Sequence, residues 1–205
     1  MVMLRYLALG DSYTIGTGVQ LADSWPWQLV TALRSEGSTL ADPVIIAQNG
    51  WTSTDLLLGI KYAGPQPGFD FLTLLIGVND QYRNHQLAHY QETFAELLDC
   101  AIQLGEKIPD KVIVLSIPDW GVTPFAAGHQ KAEIAAEIDA FNDANRLASQ
   151  YAGCHYVDVT QLSRAFGDET SLLADDGLHP NGKFYRQWVA LVLPVARKIL
   201  SRDYR

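Results

Sequence analysis

Residues 4–18 read Leu4-Arg5-Tyr6-Leu7-Ala8-Leu9-Gly10-Asp11-Ser12-Tyr13-Thr14-Ile15-Gly16-Thr17-Gly18. A nearly unbroken apolar run stops at a glycine and passes into a short loop of hydroxyl residues and further glycines. A strand with one face in water alternates polar and apolar residues. A continuous run such as Leu4–Leu9 instead predicts a strand covered on both faces, as in a parallel sheet. Similar runs recur at Val44–Ala47, Phe71–Ile76, Val112–Ile117 and His155–Val159. Between them lie stretches of helical periodicity near Trp25–Ser35, Ser53–Tyr62, Leu87–Leu104 and Gln130–Tyr151, with a last one near Lys183–Leu200. Alternation of this kind predicts an α/β protein, repeated strand–helix units around a five-stranded, mostly parallel sheet.

The helix over 130–151 carries Ile134, Ile138, Phe141, Ala144, Ala148 and Tyr151 at three- and four-residue steps, which predicts one stripe packed on the sheet. Asp23 and Ser24 before Trp25-Pro26 supply an N-cap followed by a first-turn proline, and Thr52 or Ser53 can cap the next helix. Connections rich in Gly and Pro run over Ala63–Asp70, Pro118–Gly128 and Gly167–Gly182. In open sheets of this class ligands bind outside the carboxyl ends of the strands, so the loops after the strands are where chemistry is expected.

The chain has 205 residues, with 15 Lys+Arg against 23 Asp+Glu and a net charge of −8. An acidic chain with no basic block lacks the electrostatic footprint for nucleic acid and for polybasic attachment to anionic lipid. Length, 48% hydrophobic residues and the absence of a linker or repeat predict one globular domain over 1–205. The two cysteines make no CxxC and no disulfide framework. Cys100 and Cys154 read as small buried hydrophobes in a reducing compartment. Met1–Gly10 is too short for the ordered regions of a signal peptide, and no apolar run approaches the ~20 residues of a membrane helix. The expectation is a cytoplasmic protein without an integral membrane segment; its oligomeric state is not legible.

Four loops then stand out: Gly10-Asp11-Ser12, Gln48-Asn49-Gly50, Gly77-Val78-Asn79-Asp80, and Asp175-Asp176-Gly177-Leu178-His179-Pro180. Acyl transfer needs a nucleophile, a base for its proton, a group to orient the base and donors for the developing oxyanion. Ser12 follows the first strand directly, His179 supplies an imidazole, and Asp176 lies three residues before it, close enough to fix its tautomer. The Ser12 and Gly50 N–H groups and the Asn79 side-chain amide are suitable oxyanion donors. Glycine at position 50 leaves the backbone open to a substrate, and Asn79 donates without being charged.

In this order and at these positions the four loops resemble the four sequence blocks of the GDSL or SGNH hydrolases. The resemblance covers nearly the whole chain. It implies a three-layer α/β/α fold with a flavodoxin-like sheet and a serine ester hydrolase, esterase- or lipase-like, possessing no cofactor and no metal. It further implies Ser12 as nucleophile, Asp176 and His179 as the rest of the triad, and Ser12, Gly50 and Asn79 as the oxyanion hole. The first block here is GDSY where the family name has GDSL, a departure outside the triad. The family's substrates range over lysophospholipids, thioesters, aryl esters and acetylated sugars, so the resemblance implies a small-molecule or lipid ester without choosing one. With no long amphipathic lid segment, short acyl chains are favoured.

Other residues are read more plainly. Asp11 is a turn-stabilising aspartate, and Asp175 is a rival to Asp176. His85 and His89 stand four apart without a third ligand and read as a solvated face, while His129 and His155 have no partner visible in sequence. Trp120 and Phe125, on the loop after the fourth strand, line either a substrate pocket or a packed loop core. Tyr82 belongs to a second segment, Tyr82-Arg83-Asn84, placed to touch substrate. Two rival functions remain: a flavodoxin-type module cradling the FMN phosphate on Ser12–Gly18, and a metal hydrolase with Asp11, Asp176 and His179 as ligands.

Overall fold

The structure, a computed structural model, describes residues 3–202; the reading of Met1–Gly10 as a leaderless start extends at Met1 and Val2 outside those residues. Five strands form one sheet: β1 (Tyr6–Gly10), β2 (Val44–Ala47), β3 (Phe71–Leu75), β4 (Val112–Leu115) and β5 (His155–Val157). They lie in the order β2-β1-β3-β4-β5 with every ladder parallel. This is the flavodoxin-like strand order, and its switch point lies between β1 and β3. In register, Leu9 of β1 stands between Ile46 and Leu74, and Leu74 stands beside Val114. Every residue of β1, β3 and β4 is buried, as the unbroken apolar runs require.

Eight α-helices are described: α1 (Ser12–Ile15), α2 (Trp25–Ser35), α3 (Ser53–Ala63), α4 (Val78–Tyr82), α5 (Leu87–Leu104), α6 (Lys131–Ala152), α7 (Thr160–Phe166) and α8 (Gly182–Leu200). The neighbours α2 and α8 pack together over one face; α3, α5 and α6 pack in series over the other, giving three layers. The short helices α1, α4 and α7 have too few turns to show a period in sequence. None of the described helices is long and apolar enough to cross a membrane.

The strands end earlier than their apolar runs because side chains take over the backbone bonds. The Ile117 N–H goes to the Asn142 side-chain oxygen at 2.7 Å, and the Val159 N–H to Ser116 Oγ at 2.8 Å. At the other end Leu4 makes only an isolated bridge, to Leu40. The buried stripe of α6 also departs from expectation. Ile134, Ile138 and Phe141 are buried, but the stripe continues through Asn142, Asn145 and Ser149, while Tyr151 is 97% exposed. Asn142 binds both N–H and C=O of Ile117, and Asn145 Oδ1 accepts from Tyr90 Oη at 2.7 Å, while Asn145 Nδ2 has no hydrogen-bond partner among the described residues. Bonding of this kind offsets the cost of burying the Asn142 amide at both ends and the Asn145 amide at its oxygen only.

At the helix starts, Thr52 forms a capping box with Asp55. Ser24 occupies the cap position of α2 but donates its hydroxyl back to the Leu21 carbonyl at 2.8 Å instead of capping. Cys100 and Cys154 are half-buried rather than fully enclosed, and burial pushes the Cys154 thiol up to about 12.

Candidate active site

Gly10 ends β1 where a side chain has no room: a Cβ there would stand 2.1 Å from Thr14 Oγ1 and 2.6 Å from the Leu75 carbonyl. The chain therefore turns at once into α1, and the turn is locked by Asp11, whose Oδ1 accepts the Tyr13 N–H at 3.0 Å. Ser12 is the first residue of α1, just beyond the carboxyl end of β1 and 4% exposed.

The last loop delivers the base to the same point across 167 residues of chain: His179 Nε2 lies 2.9 Å from Ser12 Oγ. On the other side of the ring, His179 Nδ1 lies 2.6 Å from Asp176 Oδ2. The second carboxylate oxygen, Oδ1, accepts the Leu178 N–H at 2.9 Å and the His179 N–H at 3.0 Å, so carboxylate, loop and imidazole form one unit. Partial burial raises the Asp176 carboxyl, but the bonds from the His179 ring and from the two N–H groups outweigh it and hold it below the usual carboxylate range. An ionised Asp176 requires the proton on Nδ1, which leaves Nε2 to accept from the Ser12 hydroxyl. It is Asp176 and not Asp175, an exposed residue, that meets the imidazole.

Around this pair opens a cavity of about 170 Å³, whose lining includes Ser12, Asn79, Tyr82, Trp120, Phe125 and His179. Thus Tyr82, Trp120 and Phe125 do come to the site; Tyr82 meets Trp120 edge-on at 5.2 Å and Phe125 at 6.3 Å. Gly50 stays one step back, its neighbour Asn49 being on the wall. Two contacts hold that turn. Asn79 donates one amide hydrogen to the Trp51 carbonyl at 2.9 Å, and Arg83 donates to the Gly50 carbonyl at 2.6 Å. Gly50 has φ +79°, so a side chain there would strain the turn. Asn79 keeps a second amide hydrogen for a ligand.

Sequence reasoning did not single out Tyr13 or Arg83 for these roles. Tyr13 follows the nucleophile candidate in the GDSY block and lays its ring 5.1 Å from that of His179. The solvated-face reading holds for His89, which is exposed, but His85 precedes α5 and points Nδ1 toward buried Asp80 at 3.4 Å. His129 meets Trp120 edge-on at 5.2 Å, and His155 Nε2 lies 3.1 Å from Asp110. Among the described residues, no group of three His, Cys, Asp or Glu is placed to hold a metal ion.

Asp11, confirmed as a turn-stabilising residue, is completely buried, and its Oδ2 has no hydrogen-bond partner among the described residues. Burial, opposed by the Tyr13 N–H and assisted by the Asp80 charge, pushes its carboxyl up to about 8. Between the ordinary aspartate value of about 3.9 and that value, the unfolded chain gives up a proton that the folded chain keeps. Asp11 therefore lowers stability as pH rises through that window and adds no slope above it. Replacement Asp11→Asn keeps the acceptor for Tyr13 and removes the titration. Its melting temperature, relative to wild type, is expected to climb by several degrees between pH 4 and pH 8; a flat difference over that range would mean that folded Asp11 is ionised.

A parallel α/β/α sheet that gathers Ser, His and Asp on its carboxyl edge is the plan of a hydrolase. The GDSL-like Lipase/Acylhydrolase family profile matches residues 8–187, and the chain belongs to that family. Among solved structures it is similar to TesA, at 21% identity over 95% of this chain and 99% of that one with a TM-score of 0.74. It is similar to the psychrotrophic esterase EstA from Pseudoalteromonas sp., in a structure inhibited by monoethylphosphonate, at 17% identity over 97% and 99% of the two chains with a TM-score of 0.72. AlinE4, an SGNH-hydrolase family esterase, aligns at 23% identity over 98% and 100% with a TM-score of 0.67. These identities speak to the fold alone. No curated protein matches the sequence.

Proposed function

We propose that the protein is a carboxylic ester hydrolase that works through an acyl-enzyme on Ser12. The observation that supports this most directly is the bonded chain Ser12–His179–Asp176, at 2.9 Å and 2.6 Å, on the wall of an apolar cavity. Ser12 Oγ attacks the ester carbonyl while His179 Nε2 takes its proton. The Ser12 and Gly50 N–H groups and the free Asn79 amide hydrogen receive the oxyanion; such donors act on charge that develops in the transition state. The imidazolium, steadied by Asp176, protonates the departing alkoxide. Water, activated by the same ring, then releases the acid. The mechanism calls for neither metal nor cofactor. The chain acts as a single domain, because its nucleophile and base lie at opposite ends of the sequence.

Cavity size bears on the substrate. A protein cavity of about 150 Å³ accommodates benzene, so about 170 Å³ suits an acyl group of up to about six carbons. We therefore place the substrate among short-chain esters of small alcohols rather than lysophospholipids. The test is direct: a fluorophosphonate should add its mass to the peptide containing Ser12, and the protein should cleave p-nitrophenyl acetate and butanoate. A protein that is neither labelled nor active on those esters would refute the reading.

A further inference from the structure

A second cavity, of about 490 Å³, lies beside the first and shares two of its lining residues, Tyr82 and Trp120. The rest of its wall is different in character, with Gln81, His129, Glu133 and Glu137 among its members. The small cavity is apolar and carries Ser12. The large one is polar and carries none of the triad. Of the two shared residues, Trp120 is the buried one and has several partners. Trp120 is 4% exposed, and its indole N–H donates to Gln81 Oε1 at 2.7 Å. The Gln81 amide is held in that sense by its other end, which donates to Glu137 Oε2 at 2.7 Å. Three rings meet the indole at steep angles: Tyr82 at 74°, Phe125 at 68° and His129 at 80°.

We propose that Trp120, positioned by Gln81 and through it by Glu137, is the end wall of the acyl pocket and sets its chain-length limit, with the larger cavity as a closed-off extension. This inference rests on the esterase reading of the site. An acyl chain that outgrows the small cavity meets an indole that cannot swing aside without breaking a buried hydrogen bond and three aromatic contacts. Because Glu137 lies on the exposed side of α6, the chain Glu137–Gln81–Trp120 ties the depth of the pocket to the helix surface. Gln81 and Glu137 touch no substrate and are positioning residues; Trp120 is the specificity-determining one.

The test is an acyl-length series of p-nitrophenyl esters from two to twelve carbons. Wild type should peak at or below about six carbons. Trp120→Ala should raise the ratio of kcat/KM for decanoate over butanoate by tenfold or more, the scale on which one misfit methylene is discriminated, and mainly through KM. Gln81→Met should move the ratio the same way by less, which covers the case in which Trp120→Ala does not fold. The double exchange Gln81→Glu with Glu137→Gln, which again presents an acceptor to the indole and a donor to that acceptor, should restore the wild-type profile. A second readout avoids turnover: in a Ser12→Ala background, calorimetry should show decanoate binding tightened about tenfold by Trp120→Ala, with butanoate changed far less. A wild type that hydrolyses short esters while Trp120→Ala and Gln81→Met leave both readouts unmoved overturns the partition. A wild type inert to all esters in which the decanoate effect still appears overturns the esterase reading and leaves the partition standing. A wild-type optimum at ten or twelve carbons also overturns the partition.

Discussion

Ser12→Ala should lower kcat on p-nitrophenyl butanoate by at least about 10⁴-fold and abolish fluorophosphonate labelling, with KM little changed. The magnitude follows from the way a triad works: removing its nucleophile leaves only what binding and the oxyanion donors contribute, a residue of about 10³–10⁴ over the uncatalysed rate. The substitution is conservative for the fold. Ser12 Oγ makes one hydrogen bond, to His179 Nε2 at 2.9 Å, and losing one such bond costs on the order of 1 kcal/mol, so the variant should melt within a few degrees of wild type. His179→Ala should be about as inactive, and the double variant no worse than either single one, because the two residues act as one unit. Retention of a tenth or more of wild-type kcat by Ser12→Ala, after removal of contaminating esterase, would place the nucleophile elsewhere.

The readable parts of this molecule were those whose cause is local. A strand buried on both faces must be apolar throughout, so β1, β3 and β4 announced themselves. Ser12 and Asn79 each stand two residues after a glycine that the turn itself demands, Gly10 and Gly77. Asp176 and His179 fall three residues apart because one loop carries both. What stayed hidden depends on partners far away in the chain. Asn142, Asn145 and Ser149 interrupt the apolar stripe of α6 yet are buried, where they bond to Ile117, Tyr90 and the helix backbone. Gln81 and Glu137, 56 residues apart, follow no period or motif that could link them to Trp120. Polar residues that complete a site by mutual hydrogen bonding look, in sequence, like surface. The acidic charge of the chain likewise says little about the cavity, whose lining holds Ser, Asn, His and aromatic residues and no carboxylate.

The sharpest discrimination comes from Asp176, because its two oxygens have different duties. Oδ1 accepts the Leu178 and His179 N–H groups, while Oδ2 accepts from His179 Nδ1. In Asp176→Asn only one oxygen remains, and the two N–H donors of the loop bind it in the Oδ1 position, since an amide NH₂ there would face two other donors. The NH₂ group is thereby turned toward Nδ1. It can donate only to a bare nitrogen, so the imidazole proton moves to Nε2, where it faces Ser12 and prevents the ring from accepting the hydroxyl proton. The expected loss in kcat is about 10³–10⁴-fold at neutral pH. Asp176→Ala lacks that trap. The Asp176 side chain is 39% exposed, so water can enter behind the ring and leave the productive tautomer populated. The alanine variant should therefore be the more active of the two, by tenfold or more in kcat, although it has lost the whole carboxylate and the loop bonds with it. A simple loss of negative charge predicts equal damage in both. A kcat comparison of Asp176→Asn, Asp176→Ala and wild type on one short ester between pH 6 and pH 9 separates the accounts, and equal activities of the two variants would reject the tautomer argument.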